Sequence, residues 1–398
     1  MGKALVFNIP ASGHVNPSLP VIAELVRRGE QVIYYLTENY RAKVEATGAS
    51  YRAYPQFDDT YLERYQLDGR NPPRTAAVMI QVTQAMLDEI IAVARAEAPD
   101  YIIYDSMCPW GPIVADILNI PSITSVSLLI FEASEMIKTA GIAKMLSMFI
   151  KGAPNILRFM RASKEIGKAY GIKPLNFAEF FNAPSDLMIS YTSALIQPNA
   201  DRLKMNIQFV GPSIDARGDV GDFPLARLNE RPVIYISLGT LVNDHPEFFK
   251  ACIQAFQDAP YLVVMSVGQH VDVGSLGPIP DHFIVRAFNP QLEILQRSAL
   301  FITHAGMNSV HEGLYYDVPL LLYPQQEEQT FVANRIQSLG AGLRLPSPQA
   351  SDIRQATETI LNTSTFQEQA SKLGDSLRAG GGAVQAAELI LNFVRTKA

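Results

Sequence analysis

Two side chains that can act together in proton transfer each follow an apolar segment with the composition of a β-strand. His14 lies in a turn after the run 3–9, and Asp105 follows the run 100–104. A histidine at the carboxyl end of a strand can take a proton from a substrate hydroxyl, and a carboxylate beside it can orient the imidazole. Taken singly, His14 is as typical of a helix-capping loop and Asp105 of an N-cap or turn. They form a general base only if their strands are neighbours.

A second strand-to-helix turn has the residue types that hold phosphate groups. In the segment 302–313, small residues allow an anion to approach a helix N-terminus closely, and polar side chains can add hydrogen-bond donors. Glu312 lies one turn beyond Asn308 on the same helix face, where a carboxylate can accept hydrogen bonds from ribose hydroxyls. This combination suits a nucleoside diphosphate, and the alternative is that the polar residues only cap the helix. The phosphate-binding candidates are His304, Gly306, Asn308 and Ser309.

Three further strand ends supply candidates for the rest of a nucleotide sugar. A Ser-Leu-Gly-Thr turn at 237–240 can donate hydrogen bonds to the same diphosphate, and Phe288 can offer an aromatic face to the base. Polar residues after the run 319–323 can bind hexose hydroxyls, although a solvated polar loop has the same composition. These additional donor-site candidates are Gly239, Thr240, Phe288, Gln291, Glu328 and Gln329.

The bulk composition excludes several function classes. The 398 residues carry a net charge of −6 and contain no run of lysine or arginine, so no nucleic-acid track is expected. Cys108 and Cys252 are far apart and match neither a metal-ligand spacing nor a disulfide framework. They are expected to be buried small residues in a reducing compartment. We expect no metal site, no bound cofactor and no protein partner that the sequence identifies.

The sequence shows no recognisable targeting signal, which predicts a cytoplasmic soluble protein. The N-terminus runs directly into a strand-like segment without the layout of a signal peptide, and Val6 stands where a myristoylation motif needs Ser or Thr. No apolar run is expected to reach transmembrane length, because the most apolar piece, 140–150, contains Lys144 and Ser147. Stable insertion into a membrane is therefore not expected.

Alternating strand and helix patterns predict an α/β fold with two parallel sheets. Near-continuous apolar runs alternate with helical segments up to about residue 200, and the same pattern restarts at 232. The stretch 213–231 is rich in Gly, Pro, Asp and Arg and is predicted to be a linker. The predicted organisation is an N-terminal domain over 1–212, a C-terminal domain over 232–382 and a final helix over 383–398.

The motifs together resemble family 1 glycosyltransferases, close to the bacterial branch that glycosylates macrolides and flavonoids. The resemblance covers nearly the whole chain, and the motifs match in both order and spacing. They are G-H-V-N-P-S-L at 13–19, P-D-Y-I-I-Y-D at 99–105, F-V-G-P-S at 209–213, I-S-L-G-T at 236–240, N-P-Q-L-E-I-L at 289–295, T-H-A-G-M-N-S-V-H-E-G-L at 303–314 and E-Q at 328–329.

This resemblance implies a fold and a mechanism. It implies the GT-B architecture of two facing Rossmann-like domains, with the last helix returning to the first. It implies that His14, supported by Asp105, deprotonates the acceptor hydroxyl, which displaces the diphosphate of a UDP-sugar with inversion and without a metal. UDP-glucose is the expected co-substrate. Many relatives have Trp where this chain has Phe288; the smaller ring can still stack on the base, but this position does not fix a preference for uridine over thymidine donors.

The acceptor is expected to be a bulky apolar molecule such as a flavonoid, another phenol or a macrolide. The segments 56–86, 106–112 and 125–150 contain methionine and aromatic residues that can line an adaptable pocket, although most such residues in a globular protein are ordinary core. The acceptor-site candidates are Met79, Met107, Trp110, Phe131 and Met136.

Four other functions fit parts of the pattern. A nucleotide-sugar epimerase or a phosphorylase can share the architecture, but the first needs no apolar pocket and the second needs a lysine-linked cofactor for which no motif is visible. A nicotinamide or flavin oxidoreductase is disfavoured because the first turn has Gly13 alone where three glycines are wanted. A catalytically inactive binding protein remains as the non-enzymatic alternative.

Overall fold

The computed structural model divides the chain into two compact units. It describes residues 2–55, 58, 60, 71–130, 142–182, 185–214, 220–239 and 244–397. The first unit is Met1–Ser213 together with Gly380–Ala398, and the second is Ile214–Ala379. The stretch 213–231 thus belongs to the second unit from residue 214 onward, and the return to the first unit comes at 380, where the sequence suggested 383.

The first unit is built on a seven-stranded parallel sheet with the order β3-β2-β1-β4-β5-β6-β7. Chain order runs outward from β1 in one direction and then jumps back to place β4 on its other side. The strands are β1 Lys3–Phe7, β2 Gln31–Leu36, β3 Ser50–Ala53, β4 Tyr101–Asp105, β5 Ser122–Val126, β6 Leu187–Ser190 and β7 Ile207–Phe209.

Helices cover both faces of this sheet, as the near-continuous apolar strands require. Leu5 and Phe7 of β1 face one core, and Ala4 and Val6 face the other. The helices α3, α4 and α5 enclose the first core, and α1 and the C-terminal α13 enclose the second. These helices are α1 Ser12–Arg27, α2 Arg41–Glu45, α3 Pro72–Glu97, α4 Trp110–Leu118, α5 Ile142–Tyr170, α6 Phe177–Asn182 and α13 Gly382–Lys397.

The second unit repeats this plan with six parallel strands in the order β10-β9-β8-β11-β12-β13. Its first strand, β8, again has the later strand β11 on its other side. The strands are β8 Val233–Ser237, β9 Leu262–Ser266, β10 Phe283–Arg286, β11 Ser298–Thr303, β12 Leu320–Leu322 and β13 Gly342–Arg344. The helices are α7 Pro246–Phe256, α8 Gln291–Leu295, α9 Met307–Tyr315, α10 Glu327–Ser338, α11 Ala350–Leu361 and α12 Ser364–Arg378.

The predicted α/β class with two Rossmann-like parallel sheets is therefore confirmed. The short strands β3, β6, β7 and β13 were not among the apolar runs singled out in the sequence. Four short 3₁₀ helices complete the described elements. They are Glu38–Tyr40, Ala200–Arg202, Leu225–Asn229 and Val273–Leu276.

One described helix is long and apolar enough to cross a membrane by length and composition alone. This helix is α3, so the expectation that no apolar run reaches transmembrane length is wrong for this part of the chain. The most apolar window of α3 is 56% buried inside the protein. Its residues Ala76, Ile80 and Leu87 pack in the core of the first unit, and a core helix of a soluble protein passes the same test.

We expect the second unit to lose stability on acidification through His311. This α9 side chain is 2% exposed, and burial lowers its pKa to about 3. The unfolded chain takes up a proton near pH 6.5, so stability is lost as the pH falls from there toward 3, by about 1.4 kcal/mol per pH unit. The prediction is a shallower pH dependence of the unfolding free energy in His311→Gln than in the native chain, measured by urea unfolding between pH 7 and 5.

Two optical signals separate the units in that measurement. Trp110 is the only tryptophan of the chain and lies in the first unit, so its fluorescence serves as an internal control. Circular dichroism reports both units. If the unfolding free energy followed by circular dichroism had the same pH slope in the native chain and in His311→Gln, His311 would not be the source of the pH dependence.

Candidate active site

The turn after β1 places His14 in the first turn of a helix. Helix α1 begins at Ser12, because the carbonyl of Ala11 accepts hydrogen bonds from the N–H groups of His14 and Val15 at 2.9 and 3.0 Å. Pro17, although proline is common at the first position of a helix, does not open this one. Pro17 lies inside α1, five residues after its start, where a proline removes one backbone donor.

The imidazole of His14 contacts the carboxylate of Asp105. Nδ1 lies 3.0 Å from Oδ1 and 2.9 Å from Oδ2. Strand β1, which precedes the helix of His14, is the direct neighbour of β4, which ends at Asp105. The predicted pairing is thus confirmed. Asp105 is fully buried, whereas His14 keeps 13% of its side chain accessible. With Nδ1–H donating to the carboxylate, the lone pair of the imidazole is on Nε2.

Two further groups fix this pair. The N–H of Met107 donates to Oδ1 of Asp105 at 2.8 Å, and the hydroxyl of Ser127 lies 2.9 Å from Nδ1 of His14. Ser127 follows β5, the next strand in the sheet after β4. Three successive neighbours in the sheet, β1, β4 and β5, therefore each contribute one residue to the site. Sequence analysis missed Ser127, and the only available signal was its position at the end of an apolar run.

A buried amide holds the strand-to-helix turn in place. Nδ2 of Asn8 donates to the hydroxyl of Tyr34 at 2.8 Å and to the carbonyl of His14 at 3.3 Å. Its Oδ1 accepts from the N–H of Ile9 at 2.8 Å, and its backbone exchanges hydrogen bonds with the hydroxyl of Tyr54. Because Asn8 is 1% exposed, loss of these partners would leave buried polar groups unsatisfied.

In the second unit, His304 lies between two glycines that leave room for its ring. A Cβ at Gly306 would lie 2.3 Å from Nε2 of His304, and one at Gly239 would lie 2.7 Å from its Cε1. Gly239 also has a φ of +81°, which a residue with a side chain rarely adopts. His304 follows β11 and Gly239 follows β8, which are adjacent strands. Thr240 lies outside the described residues.

His304 is uncharged near neutral pH in this environment. Burial lowers its pKa to about 4, although a backbone hydrogen bond to Ser237 opposes the shift. A neutral imidazole can donate one hydrogen bond, but it brings no positive charge to a phosphate. The stabilisation of an anion at this turn must therefore come from backbone dipoles.

The start of α9 supplies such a dipole. Ala305, two residues before this helix, has a φ of +65°, an uncommon conformation for a residue with a side chain. Gly306 is the N-cap, no side chain caps the helix, and the first N–H to bond within it belongs to Val310. The first-turn residues Asn308 and Ser309 are half-buried beside this end. A helix N-terminus of this geometry favours an anion.

Gln291 and Glu312 are also brought together. Nε2 of Gln291 donates to Oε2 of Glu312 at 2.5 Å, and Oε1 of Gln291 accepts from the hydroxyl of Tyr235 at 3.2 Å. Glu312 is 3% exposed. A ribose would therefore have to share the carboxylate with Gln291 or displace that amide.

The remaining donor-site candidates have different surroundings. Phe288 is 54% exposed, so its ring is available for stacking. Glu328 and Gln329 belong to the first turn of α10 and not to a polar loop as one interpretation had it. The amide oxygen of Gln329 accepts from the N–H groups of residues 325 and 326 at 2.8 and 3.2 Å, so it caps that helix. Glu328 is half-buried.

The structure corrects part of the predicted acceptor pocket. Met79 is 3% exposed and Trp110 is fully buried, and both belong to the hydrophobic core of the first unit. They hold α3 and α4 against the sheet and offer no wall to a ligand. Met107 is only partly buried and keeps accessible surface. Phe131 and Met136 lie outside the described residues.

The cysteines have no role in the chemistry of this site. Cys108 and Cys252 are buried free thiols, as predicted, and burial raises the pKa of both. Within the described residues, no group of three or more histidine, cysteine, aspartate or glutamate side chains is placed to hold a metal ion.

Comparisons with known proteins agree with this geometry. The family model described as UDP-glucoronosyl and UDP-glucosyl transferase matches residues 205–377. The uncharacterised UDP-glucosyltransferase YojK of Bacillus subtilis is 31% identical, with 100% of this chain and 98% of that protein covered. The oleandomycin glycosyltransferase of Streptomyces antibioticus is 29% identical, with 97% and 89% covered.

A solved structure extends the match to three dimensions. The glycosyltransferase of kitacinnamycin superposes with a TM-score of 0.83 and 27% identity over 98% of both chains. The fold class is GT-B, and the resemblance drawn from the sequence motifs is confirmed. The chain therefore belongs to the family 1 UDP-dependent glycosyltransferases, enzymes that transfer a sugar from a nucleotide donor to a small-molecule acceptor.

Proposed function

We propose that this enzyme transfers a hexose, with glucose as the first candidate, from UDP to a hydroxyl group of an apolar acceptor. The observation that carries the proposal is the contact of His14 Nδ1 with the buried carboxylate of Asp105. With Nδ1–H donating to that carboxylate, the lone pair of the imidazole is on Nε2, which is the arrangement needed to activate a hydroxyl group.

In the proposed reaction, Nε2 of His14 takes the proton of the acceptor hydroxyl as its oxygen bonds to the anomeric carbon. The bond from that carbon to the diphosphate oxygen breaks, and the electron pair leaves with the diphosphate. Attack from the side opposite the leaving group inverts the anomeric configuration. Asp105 stabilises the imidazolium that forms without itself taking up the proton.

The turn at the start of α9 is proposed to hold the diphosphate. Its donors are the N–H groups of the first helical turn. Gly306 allows the phosphate to approach closely, and the neutral imidazole of His304 would lie beside it. Phe288 would stack on the base, and the Gln291–Glu312 pair would meet the ribose. Glu328 and Gln329 remain the proposed contacts of the sugar hydroxyls.

The acceptor is proposed to be a flavonoid, another phenol or a macrolide. The name of the Streptomyces relative supports the macrolide class, because oleandomycin is a macrolide. The half-buried Met107 lies next to the carboxylate that orients His14 and can contact an apolar acceptor. We also propose a cytoplasmic location, since the two cysteines of the chain are free thiols.

The first test is transfer itself. Incubation with UDP-glucose and a phenolic flavonoid in the presence of EDTA is expected to yield a hexose adduct, detected by mass spectrometry. His14→Ala should lower the rate at least about a hundredfold, as expected for loss of a general base.

Two controls make this experiment decisive. His282→Ala changes a histidine whose Nε2 bonds a backbone carbonyl in the second unit, and it should transfer at the native rate. UDP-glucose consumption without an adduct would favour an epimerase instead. No adduct with any of several phenols and macrolides, from UDP- or dTDP-sugars, would overturn the proposed acceptor class.

Ser127 is predicted to position the base. Its hydroxyl shares the Nδ1–H of His14 with Asp105, so Ser127→Ala removes one hydrogen bond of about 0.5–1.5 kcal/mol. The expected result is a kcat lowered about two- to tenfold with an unchanged KM for the donor, and Ser127→Thr should restore most of it. A raised donor KM at constant kcat would show that Ser127 acts elsewhere.

Gly306→Ala is predicted to damage donor binding. The new methyl group would lie 2.3 Å from Nε2 of His304, so the ring or the helix start must shift. We expect the Kd for UDP, measured by titration calorimetry, to rise at least about tenfold, the loss of one or two good hydrogen bonds. Gly274→Ala is the matched control, because its nearest new contact is an ordinary 3.4 Å. Equal UDP affinities for the two variants would disprove the assignment.

A further inference from the structure

Helix α5 presents a row of large apolar side chains to solvent. Five of its residues are between 44% and 66% exposed, although side chains of this kind are usually buried. They account for most of the exposed large apolar residues in the described part of the chain. The residues of this outer apolar face are Leu146, Phe149, Ile150, Leu157 and Met160.

The outer apolar face is one continuous stripe. At about 100° per residue, the five side chains fall within an arc of about 100° around the helix axis. The opposite side of α5 packs on the first unit through Phe159, Ala162 and Ile166. A Cβ at Gly152 would lie 2.7 Å from Pro73 of α3, so the two helices are in close contact there. This packing fixes which side of α5 faces outward.

Basic side chains lie along the stripe and on one flank of the helix. By the same spacing, Lys164 and Lys168 are in line with the stripe and Arg161 borders it. Arg158 and Lys151 lie about 80–100° beyond its edge on the same flank. Helix α5 has six basic residues and one acidic residue, a net charge of +5 in a chain whose net charge is −6. Five of the basic residues are exposed, and within the described residues none of them is in an ion pair. By contrast, Arg28, Arg41 and Arg378 each pair with a carboxylate. The five free cations are Lys151, Arg158, Arg161, Lys164 and Lys168.

We propose that the outer face of α5 docks on the surface of a lipid bilayer that carries anionic headgroups. The apolar stripe would lie at the boundary of headgroups and acyl chains, and the free cations would contact the headgroups. Binding is peripheral and reversible, since the buried side of α5 stays packed on the first unit. No membrane-spanning segment is involved.

The charge distribution favours a bilayer over a second copy of the chain. Outside α5 the molecule is acidic, so an anionic surface attracts this helix and repels the rest, which orients the enzyme. The acidic remainder could attract α5 of another copy as well, but its described residues include only three exposed large apolar side chains to cover the stripe, Leu195, Phe288 and Val384. A bilayer provides both an apolar layer and a dense array of negative charge.

The experiment is flotation of the whole enzyme with vesicles. Vesicles of 70% phosphatidylcholine and 30% phosphatidylglycerol should carry the protein upward at low salt, and pure phosphatidylcholine should do so at least about tenfold less. Leu157→Ser with Met160→Ser removes apolar contact, and Arg158→Glu with Arg161→Glu reverses charge. Each pair should reduce the partition coefficient at least about tenfold.

Matched variants show whether the loss of vesicle binding is specific to α5 or follows from any change of surface charge or hydropathy. Leu195→Ser changes an exposed apolar residue elsewhere in the first unit, and Lys372→Glu with Arg395→Glu makes the same charge change on other helices. Both controls should float like the native enzyme. All variants should unfold at the native temperature and glycosylate a water-soluble phenol at the native rate within about twofold.

The outcomes are distinguishable from those for the proposed reaction, since flotation requires no turnover. Absence of flotation, or equal flotation with neutral and anionic vesicles, overturns the proposal. A concentration-dependent dimer that Leu157→Ser with Met160→Ser abolishes, seen by sedimentation velocity, would assign the face to a second copy. If the native enzyme did not bind vesicles and that variant had a raised KM for a water-soluble acceptor, the outer apolar face would be assigned to acceptor binding.

Discussion

The reversal of strand order beside the first strand of each sheet is the constraint on which the two sites depend. Parallel strands need crossover helices, and these lie on opposite faces for the two halves of such a sheet. Where the order reverses, the flanking connections diverge and leave a crevice at the carboxyl edge. In the first unit this is the boundary of β1 and β4, which end next to His14 and Asp105. In the second it is the boundary of β8 and β11, which end next to Gly239 and His304.

The corresponding crevices of the two units differ in their electrostatics. At His14 a fully buried carboxylate contacts an imidazole that remains partly accessible, so a positive charge that forms on the ring during proton transfer has a counter-ion beside it. At His304 burial lowers the pKa to about 4, so the ring stays neutral and donates a single hydrogen bond. One histidine can therefore accept a proton, and the other can lie beside an anion without titrating near neutral pH. The difference comes from the neighbours and not from the residue type.

Much of this site could be predicted from the sequence, because the informative residues follow apolar runs. His14, Asp105, Gly239 and His304 were found in this way, although each alone had an ordinary alternative. Ser127 was missed, since a serine at a strand end is common and only the sheet order reveals its neighbour. Met79 and Trp110 were assigned to the acceptor pocket wrongly. Methionine and tryptophan have the same periodicity on a helix whether they face a core or a ligand, and the packing partner decides.

The outer apolar face of α5 is the converse case, because residues with the spacing of a buried helix are here exposed to solvent. Its apolar residues match a buried helix in spacing, but Gly152 and Phe159 already fix another side of α5 against α3 and the core. A helix with two apolar sides can bury only one in its own unit. The second side carries a cost in water of about 25 cal/mol per Å² of exposed apolar area, and natural sequences rarely retain such a stripe on a monomer's surface without a use. The free cations beside it indicate that the use involves an anionic surface.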